Sequence, residues 1–257
     1  MNDEIPETHP RYKSLVIRER LRDFMEKGIV VPEGLIAHGR GEAFDYIFGE
    51  ASQDFALESE KAAISLLMLS KNPVITVNGN VAALSYKEIV ELHNVTGIKV
   101  EINLFHRSDE RIKKIAELFQ REGLTEIYGI HADKEIPGLV HNRRFADGNG
   151  IYSADTVFIP LEDGDRAMSL KNMGKKVIAI DLNPFSRTSI TADISIIDEI
   201  TRTIKNFIKI YEELKNLNES ELKEILNKFD NKKNKVDAIN LICEKLRYWQ
   251  TDQKPHL

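Results

Sequence analysis

The sequence predicts an α/β protein with a Rossmann-like, doubly wound, mostly parallel sheet and helical segments at both ends of the chain. Six short apolar runs alternate mostly with helical patterns, which is typical of parallel strands joined by helices. The longest connection, residues 136–154, follows the third run and is long enough for a crossover to the other half of the sheet. Together these observations predict the strand order 3-2-1-4-5-6.

Composition narrows the class of protein. The chain has 257 residues with 42% hydrophobic content, enough for one large core, and a net charge of -5 that argues against a general nucleic-acid binder. A single cysteine, Cys243, excludes a disulfide framework and a cysteine-based zinc site. The first residues lack the pattern of a secretion signal, and no apolar run approaches the ~20 residues of a membrane span. We therefore expect a cytoplasmic protein that binds neither nucleic acid nor membranes.

Residues 1–72 are predicted to form a helical segment that packs on the core, with helices over 11–27 and 53–70. Between them, Gly34, Gly39 and Gly41 surround His38 and Arg40. Glycines allow a sharp turn and a close approach to a ligand, and the two basic residues suit an anion. The alternative is a tight turn between two helices with solvated charges. A P-loop is excluded, because the Lys-Ser/Thr pair and the preceding strand are both missing.

Residues 73–200 are predicted to form the Rossmann-like core, and residues 201–257 to add C-terminal helices, with all three segments in one integrated domain. The expected strands are 74–77, 99–105, 126–130, 155–161, 177–180 and 194–198. In this topology strands one and four are neighbours, and the ligand crevice opens at their carboxyl ends. The polar segments at those ends are 78–80 and 162–166. The long connection also contains His141, Arg143 and Arg144, which are candidates for charge recognition, although an exposed basic loop is the simpler interpretation.

The fifth strand ends in a dense polar segment, residues 181–188. One interpretation is a ligand site for a ribose, a base edge or a phosphate. The other is an ordinary loop in which Asp181 and Asn183 cap a helix.

Cations and carboxylates recur at these predicted strand ends and in the N-terminal segment. Arginines suit phosphates, and carboxylates beside them suit Mg²⁺, which usually binds through one or two carboxylates plus ligand phosphates. The residues concerned are Arg18, Arg40, Arg166 and Arg187 with Asp163, Asp165 and Asp181. They indicate nucleotide-dependent phosphoryl or nucleotidyl chemistry. A non-catalytic, nucleotide-binding regulatory protein is the alternative, and it makes no demand on the two aspartates Asp163 and Asp165. Because no Gly-x-Gly-x-x-Gly motif is present, a dinucleotide cofactor is not expected. Because no Gly-x-Ser-x-Gly motif is present, a serine hydrolase is not expected either.

Several segments, in order along the chain, carry a resemblance to a known family. They are residues 9–12 (His-Pro-Arg-Tyr) with 14–15, then 34–46, 73–74 with 77–80, 101–105, 136–139, 157–166 and 181–187. On these segments the sequence resembles the archaeal phosphopantothenate synthetases, also called 4-phosphopantoate–β-alanine ligases.

The resemblance implies a dimeric enzyme of coenzyme A biosynthesis. It would condense 4-phosphopantoate with β-alanine through an acyl-adenylate and convert ATP to AMP and diphosphate with Mg²⁺. By position, the residues expected to bind ATP are Arg18, Arg40, Asp181, Leu182, Asn183, Arg187, Thr188, Glu199 and Ile200. Substrate-binding or catalytic roles are expected among His38, Asn78, Asn80, Asp163, Asp165 and Arg166, with Asp163 or Asp165 as a possible metal ligand.

The sequence departs from the family pattern at two places. Glu199 stands where the family often has Asn, so a backbone contact is expected there rather than a side-chain contact. Residues 167–169 are Ala-Met-Ser where the family commonly has Thr-Glu-Ala, so Ala167 and Met168 cannot supply those polar groups.

Overall fold

The structure, a computed structural model, describes residues 5–9 and 11–251, with the backbone alone for residues 249–251. The remaining parts of the predicted terminal segments, including Pro10 of the 9–12 motif, lie outside the described residues. Six parallel strands form the central sheet, in the order β3-β2-β1-β6-β7-β8. These strands are β1 Pro73–Val77, β2 Lys99–Ile102, β3 Ile127–Tyr128, β6 Thr156–Pro160, β7 Lys176–Ile180 and β8 Ile194–Ile196. The predicted fold class and the strand order 3-2-1-4-5-6 are both confirmed.

The long connection contains a small antiparallel sheet of its own, β4 Lys134–Glu135 with β5 Phe145–Ala146, and a 3-10 turn at Asn142–Arg144. Two-residue strands have no readable periodicity, so the sequence did not indicate them. Side chains from the β2 end hold this connection in place. Glu101 accepts hydrogen bonds from the backbone N–H groups of Asp147 (3.0 Å) and Ile151 (2.5 Å), and the Asn103 amide donates to the Phe145 carbonyl at 2.8 Å.

Ten helices surround the sheet within the described ranges. They are α1 Tyr12–Glu26, α2 Pro32–Phe48, α3 Asp54–Leu69, α4 Gly79–Thr96, α5 Asp109–Arg121, α6 Gly164–Asn172, α7 Arg187–Thr191, α8 Ile200–Leu214, α9 Glu219–Lys228 and α10 Asn231–Thr251. Local chemistry sets many of their ends. Ser108 caps α5 by accepting from the Arg111 N–H, and Asn218 with Glu221 forms a capping box at α9. No helix within these ranges is both long and apolar enough to cross a membrane.

The glycine-rich segment is a helix, so the expected sharp turn at residues 34–46 is wrong. Helix α2 begins with Pro32 at its first turn and ends at Gly49, whose φ of 88° is left-handed. Each glycine inside a helix costs up to about 1 kcal/mol relative to alanine. Close packing of α2 on neighbouring segments, described below, offsets that cost.

Helix α4 begins at Gly79, just after the end of β1. Asn78 caps it, and the backbone breaks at Ser85 (φ -143°, ψ 20°), so two helical pieces follow one another. The first piece starts directly at the strand end, and it therefore belongs to the site rather than to the outer layer.

The apolar core lies on both faces of the sheet, as the alternation along each strand requires. In β7, Ile178 and Ile180 join the large cluster beneath α3, α4 and α8, whereas Val177 and Ala179 join a second cluster with α6 and the long connection. The large cluster unites residues from all three predicted segments, among them Leu21, Ile75 and Phe207. The terminal helices therefore share one core with the sheet.

A buried polar network links α2, α3 and α8. Arg202 donates to Asp198 and to Asp45, and the Asn206 amide donates to Glu60 at 3.0 Å. Burial, with the Asp198 charge nearby, raises the pKa of Glu60 to about 8. Between its ordinary pKa of about 4.5 and this raised value, the folded protein holds a proton that the unfolded chain has released. This group therefore lowers the free energy of unfolding as the pH rises through that window.

We predict that Glu60→Gln weakens this pH dependence, because the amide cannot ionise. The free energy of unfolding, measured by urea titration at about pH 5 and about pH 8, should fall less in the variant than in the wild type. Glu58→Gln, at an exposed position of the same helix, is the control and should behave like the wild type. An equal fall in all three proteins would contradict the assignment.

Candidate functional site

A cavity of about 800 Å³ opens at the carboxyl ends of the strands, at the point where β1 and β6 lie side by side. All the predicted site residues line it except Arg18 and Arg166. Those that line it are His38, Arg40, Asn78, Asn80, Asp163, Asp165, Asp181, Leu182, Asn183, Arg187, Thr188, Glu199 and Ile200. The crevice is thus where the topology predicted it, and the two polar segments 78–80 and 162–166 meet there.

Asn78 joins the two central strands at the base of the cavity. Its Oδ1 accepts from the Val81 N–H at 3.0 Å and caps α4, while its Nδ2 donates to the Leu161 carbonyl at 3.0 Å. Leu161 has a left-handed backbone (φ 54°), which is unfavourable for a residue with a side chain. Gly79 is equally constrained, because an added Cβ would lie 2.3 Å from the Ile29 carbonyl oxygen. This geometry makes the backbone turn sharply after β1 and after β6.

Helix α2 covers one side of the cavity with the face that carries Gly34, His38 and Gly41. The Asn80 amide donates to the Gly34 carbonyl at 2.8 Å, and a Cβ at Gly34 would lie 2.2 Å from Asn80 Oδ1. A Cβ at Gly41 would meet Leu182 at 3.6 Å. Gly34 therefore serves close packing of α2 rather than a turn, whereas a Cβ at Gly41 would make only an ordinary van der Waals contact. Burial lowers the pKa of His38, which favours its neutral form.

The segment after β7 forms its own hydrogen-bonded turns. The Asp181 side chain accepts a hydrogen bond from the Asn183 N–H, and the Asn183 side chain accepts one from the Phe185 N–H, each at 2.9 Å. Ser186 caps α7, so the interpretation in which Asp181 and Asn183 cap a helix is wrong. Burial raises the pKa of Asp181, and its hydrogen bonds and the Arg40 charge oppose that rise. Thr188 ties the segment to β6 by donating to the Glu162 carbonyl at 2.7 Å.

Arg40 and Arg187 are two exposed cations on the cavity wall. Neither side chain forms a hydrogen bond or an ion pair with another residue in the described part of the chain. Guanidinium groups prefer planar, bidentate contacts with carboxylate or phosphate oxygens. The pair is therefore suited to an anionic ligand, and the protein carboxylate whose pKa responds to the Arg40 charge is Asp181.

A buried ion cluster lies behind the turn that follows β6. Glu162 sits between Arg143, which contacts one carboxylate oxygen, and Arg166, whose Nη1 lies 3.0 Å from the other. Burial lowers the pKa of both guanidinium groups to about 10, which leaves them charged at neutral pH. Arg166 is fully buried and does not reach the cavity, whereas Arg143 does. The simpler interpretation of Arg143, as part of an exposed basic loop, is wrong. Sequence spacing offered no signal for this, since its partner is 19 positions away in another element.

Arg18 and Glu199 have partners within the protein. The Nε and Nη2 atoms of Arg18 both donate to the Glu42 carboxylate, at 2.9–3.2 Å, on the outer side of α1 and α2. The Glu199 carboxylate caps α8 by accepting from the Thr201 and Arg202 N–H groups. A direct ligand contact stays a prediction for both residues, of which Glu199, together with the adjacent Ile200, lines the cavity.

The site contains oxygen ligands for a hard cation but no complete protein cage. Asp163 and Asp165 expose about half of their side chains at the cavity. No group of three or more His, Cys, Asp or Glu side chains within the described residues is placed to hold a metal ion. This donor set fits Mg²⁺, which commonly takes one or two carboxylates and completes its shell with ligand phosphates and water.

We predict opposite effects of alanine at two glycines of α2. At Gly39 an added Cβ meets nothing within 4 Å, so Gly39→Ala should stabilise the helix by up to about 1 kcal/mol. At Gly34 the Cβ displaces Asn80, so Gly34→Ala should lower the melting temperature. Thermal unfolding of the two variants beside the wild type measures this. Equal melting temperatures for both variants would show that α2 does not pack as described.

The chain matches known proteins over most of its length. Residues 55–245 match the family described as phosphopantothenate/pantothenate synthetase. The chain is 48% identical over 244 residues to the 4-phosphopantoate–β-alanine ligase of Methanosarcina mazei, covering 95% of this chain and 96% of that protein. It is 48% identical to the protein of that name from Thermococcus onnurineus, covering 95% and 94%. The ligase of Methanospirillum hungatei is 52% identical over 210 residues, covering 82% and 86%. The chain belongs to the phosphopantothenate/pantothenate synthetase family of enzymes.

Proposed function

We propose that this protein is an ATP-dependent ligase that condenses 4-phosphopantoate with β-alanine to 4-phosphopantothenate, in coenzyme A biosynthesis, and releases AMP and diphosphate. The names of the similar ligases supply the acid and the amine. The main support for the proposed use of a nucleotide is the cavity itself. Arg40 on α2 and Arg187 in the polar segment after β7 line this cavity at the switch point of a Rossmann-like sheet, and within the described residues neither has a hydrogen-bond or ion-pair partner.

The reaction needs two displacements at one place. A carboxylate oxygen of the phosphopantoate attacks the α-phosphorus of ATP, and the bond to diphosphate breaks. The amine nitrogen of β-alanine then attacks the acyl carbon of the adenylate, AMP leaves, and the amine loses a proton. A cavity of about 800 Å³ is within the range of ligand pockets and large enough for several substrates together. Holding them in line and neutralising charge are the main contributions of the protein.

The proposed roles follow from position. Arg40 and Arg187 hold ATP phosphates, and the segment with Asp181, Leu182 and Asn183 contacts the nucleoside. Mg²⁺, when bound with the phosphates, supplies further charge neutralisation, and Asp163 or Asp165 would hold it. From the resemblance to the ligase family we also infer that the active form is a homodimer.

The first test is the identity of the nucleotide product. Purified protein given ATP, Mg²⁺, 4-phosphopantoate and β-alanine should form AMP and diphosphate in equal amounts with the amide. Formation of ADP and phosphate would replace the adenylate with an acyl phosphate. Nucleotide binding without turnover across a panel of acids and amines would instead favour a regulatory protein.

We predict that Arg40→Lys lowers kcat/KM for ATP by at least ~10-fold, and that Arg40→Ala lowers it further. A lysine cannot reproduce the bidentate contact, and a lost charge-assisted hydrogen bond costs about 1.5–3 kcal/mol. The melting temperature without ligands should barely change, because Arg40 is exposed and has no hydrogen-bond or ion-pair partner in the described part of the chain. Arg121→Ala, an exposed arginine on α5 away from the cavity, is the control. A large loss of stability with intact ATP kinetics would make Arg40 a structural residue.

A further inference from the structure

The cavity extends well beyond the region of Arg40 and Arg187, which lie near the segment after β7. At its other end, α2 packs through Gly34 on the chain that follows β1, whereas Gly41 of the same helix faces the chain after β7. The two glycines are about 10 Å apart along the helix axis. The β1 end of the cavity is therefore a separate region from the one that holds the two arginines.

Two basic side chains line the β1 end of the cavity. Arg111 comes from the first turn of α5, and His106 from the segment between β2 and α5. The Arg111 guanidinium lies against the start of α4, since a Cβ on Gly79 would be 2.9 Å from its Nη2. The N-terminus of a helix carries the positive end of its dipole, and the first turn of α4 contains no acidic residue. The helix therefore adds to the attraction that the two side chains exert on an anion.

Arg111 is held in place without being neutralised. Its Nη2 donates to the Ile29 carbonyl at 2.8 Å, and its Nη1 donates to the His106 carbonyl. These carbonyl groups fix the guanidinium but carry no net charge, and no carboxylate in the described part of the chain lies within ion-pair distance of it. Burial lowers the pKa of Arg111, an effect that the Glu33 charge opposes. Because each Nη atom carries a second N–H, Arg111 still has donors for a ligand.

His106 has only a weak competitor for an anion. Its Nε2 lies 3.9 Å from the Glu33 carboxylate, and the two side chains are 48% and 65% exposed. Exposed contacts of this kind contribute little free energy, so a bound phosphate can replace this one. The Phe105 ring packs edge-on against the imidazole, with 5.1 Å between ring centroids, and limits its orientation. His106 is thus placed beside Arg111 and remains available to a ligand.

We propose that Arg111 and His106 bind the phosphate group of the acid substrate, a phosphate monoester that also carries a carboxylate. The inference rests on the proposed ligase function, in which Arg40 and Arg187 already hold the phosphates of ATP. A second basic region then suits a second phosphorylated reactant, and β-alanine has no phosphate. In 4-phosphopantoate the phosphate and the carboxylate lie at opposite ends of a short chain. With its phosphate at the β1 end, the carboxylate points toward the nucleotide, where the adenylate forms.

The test compares 4-phosphopantoate with pantoate, which lacks the phosphate. In Arg111→Gln we expect the ratio of kcat/KM for the phosphorylated acid to that for pantoate to fall about 10- to 100-fold, the usual effect of losing a charge-assisted contact. The ratio should fall by a smaller factor in His106→Gln, and the KM for ATP should stay unchanged in both variants. Arg107→Gln is the matched control. Arg107 also donates to backbone carbonyls, those of Gly129 and Ile130, but it does not line the cavity.

A second measurement does not depend on turnover of pantoate. At saturating ATP, inorganic phosphate should compete with 4-phosphopantoate, and its inhibition constant should rise about 10-fold in Arg111→Gln but not in Arg107→Gln. Glu33→Gln should act in the opposite direction and lower the KM for 4-phosphopantoate about 2-fold, because it removes a nearby negative charge. Circular dichroism and thermal unfolding show whether Arg111→Gln folds. If it does not, the exposed position in His106→Gln carries both measurements.

Three results would overturn the proposal. An equal loss for both acids in Arg111→Gln would leave this residue no role toward the phosphate. A raised KM for ATP with an unchanged preference for the phosphorylated acid would assign Arg111 to the nucleotide. An absence of competition by inorganic phosphate in the wild type would exclude a phosphate site at the β1 end. If the wild type forms neither AMP nor amide with either acid, the ligase function itself fails, and this failure is distinct because it abolishes turnover before any substitution is made.

Discussion

The parallel pairing of β1 with β6 is the constraint on which the site depends. Their register sets Val74 beside Val157 and Ile75 beside Phe158, and the Asn78 amide continues the link to the Leu161 carbonyl beyond the last paired residues. At this pair the chain changes from one half of the sheet to the other, so the helices that follow diverge and leave a crevice. The polar segments after both strands therefore face a common space, although they are about 85 positions apart in the sequence.

The buried charges behind the crevice stabilise its shape more than they stabilise the fold. An ion pair taken out of water contributes little net stability, but removal of one partner costs about 3–5 kcal/mol because the other is left uncompensated. Glu162 lies on the turn after β6, Arg166 on α6 and Arg143 on the long connection. Their mutual attraction therefore holds three separate segments in one arrangement. The buried carboxylate of Glu101, which accepts hydrogen bonds from the connection, fixes the same segment from β2.

Charged side chains divide the cavity wall into a cationic region and an acidic region. Two arginines that have no hydrogen-bond or ion-pair partner among the described residues lie on the walls formed by α2 and α7, whereas Asp163 lies just before α6 and Asp165 in its first turn. Asp163 lies near Arg143 and Asp165 near His141, so on the acidic side the field that a ligand meets is that of paired groups rather than of isolated ones.

Apolar periodicity was sufficient for the sheet, its strand order and the position of the crevice, because buried parallel strands and the longest crossover leave direct marks in a sequence. The polar segments after β1, β6 and β7 were recognisable for the same reason. The helical state of residues 34–46 was not, since the packing of Gly34 against Asn80 that favours it joins distant elements. The sequence also did not indicate the burial of Arg166, the pairing of Arg18 with Glu42, or the place of Arg143 on the cavity wall. Local patterns determine which residues are polar and where strands end. Only the assembled fold decides which charges find partners inside the protein and which remain free for a ligand, because those energies depend on distances across the structure.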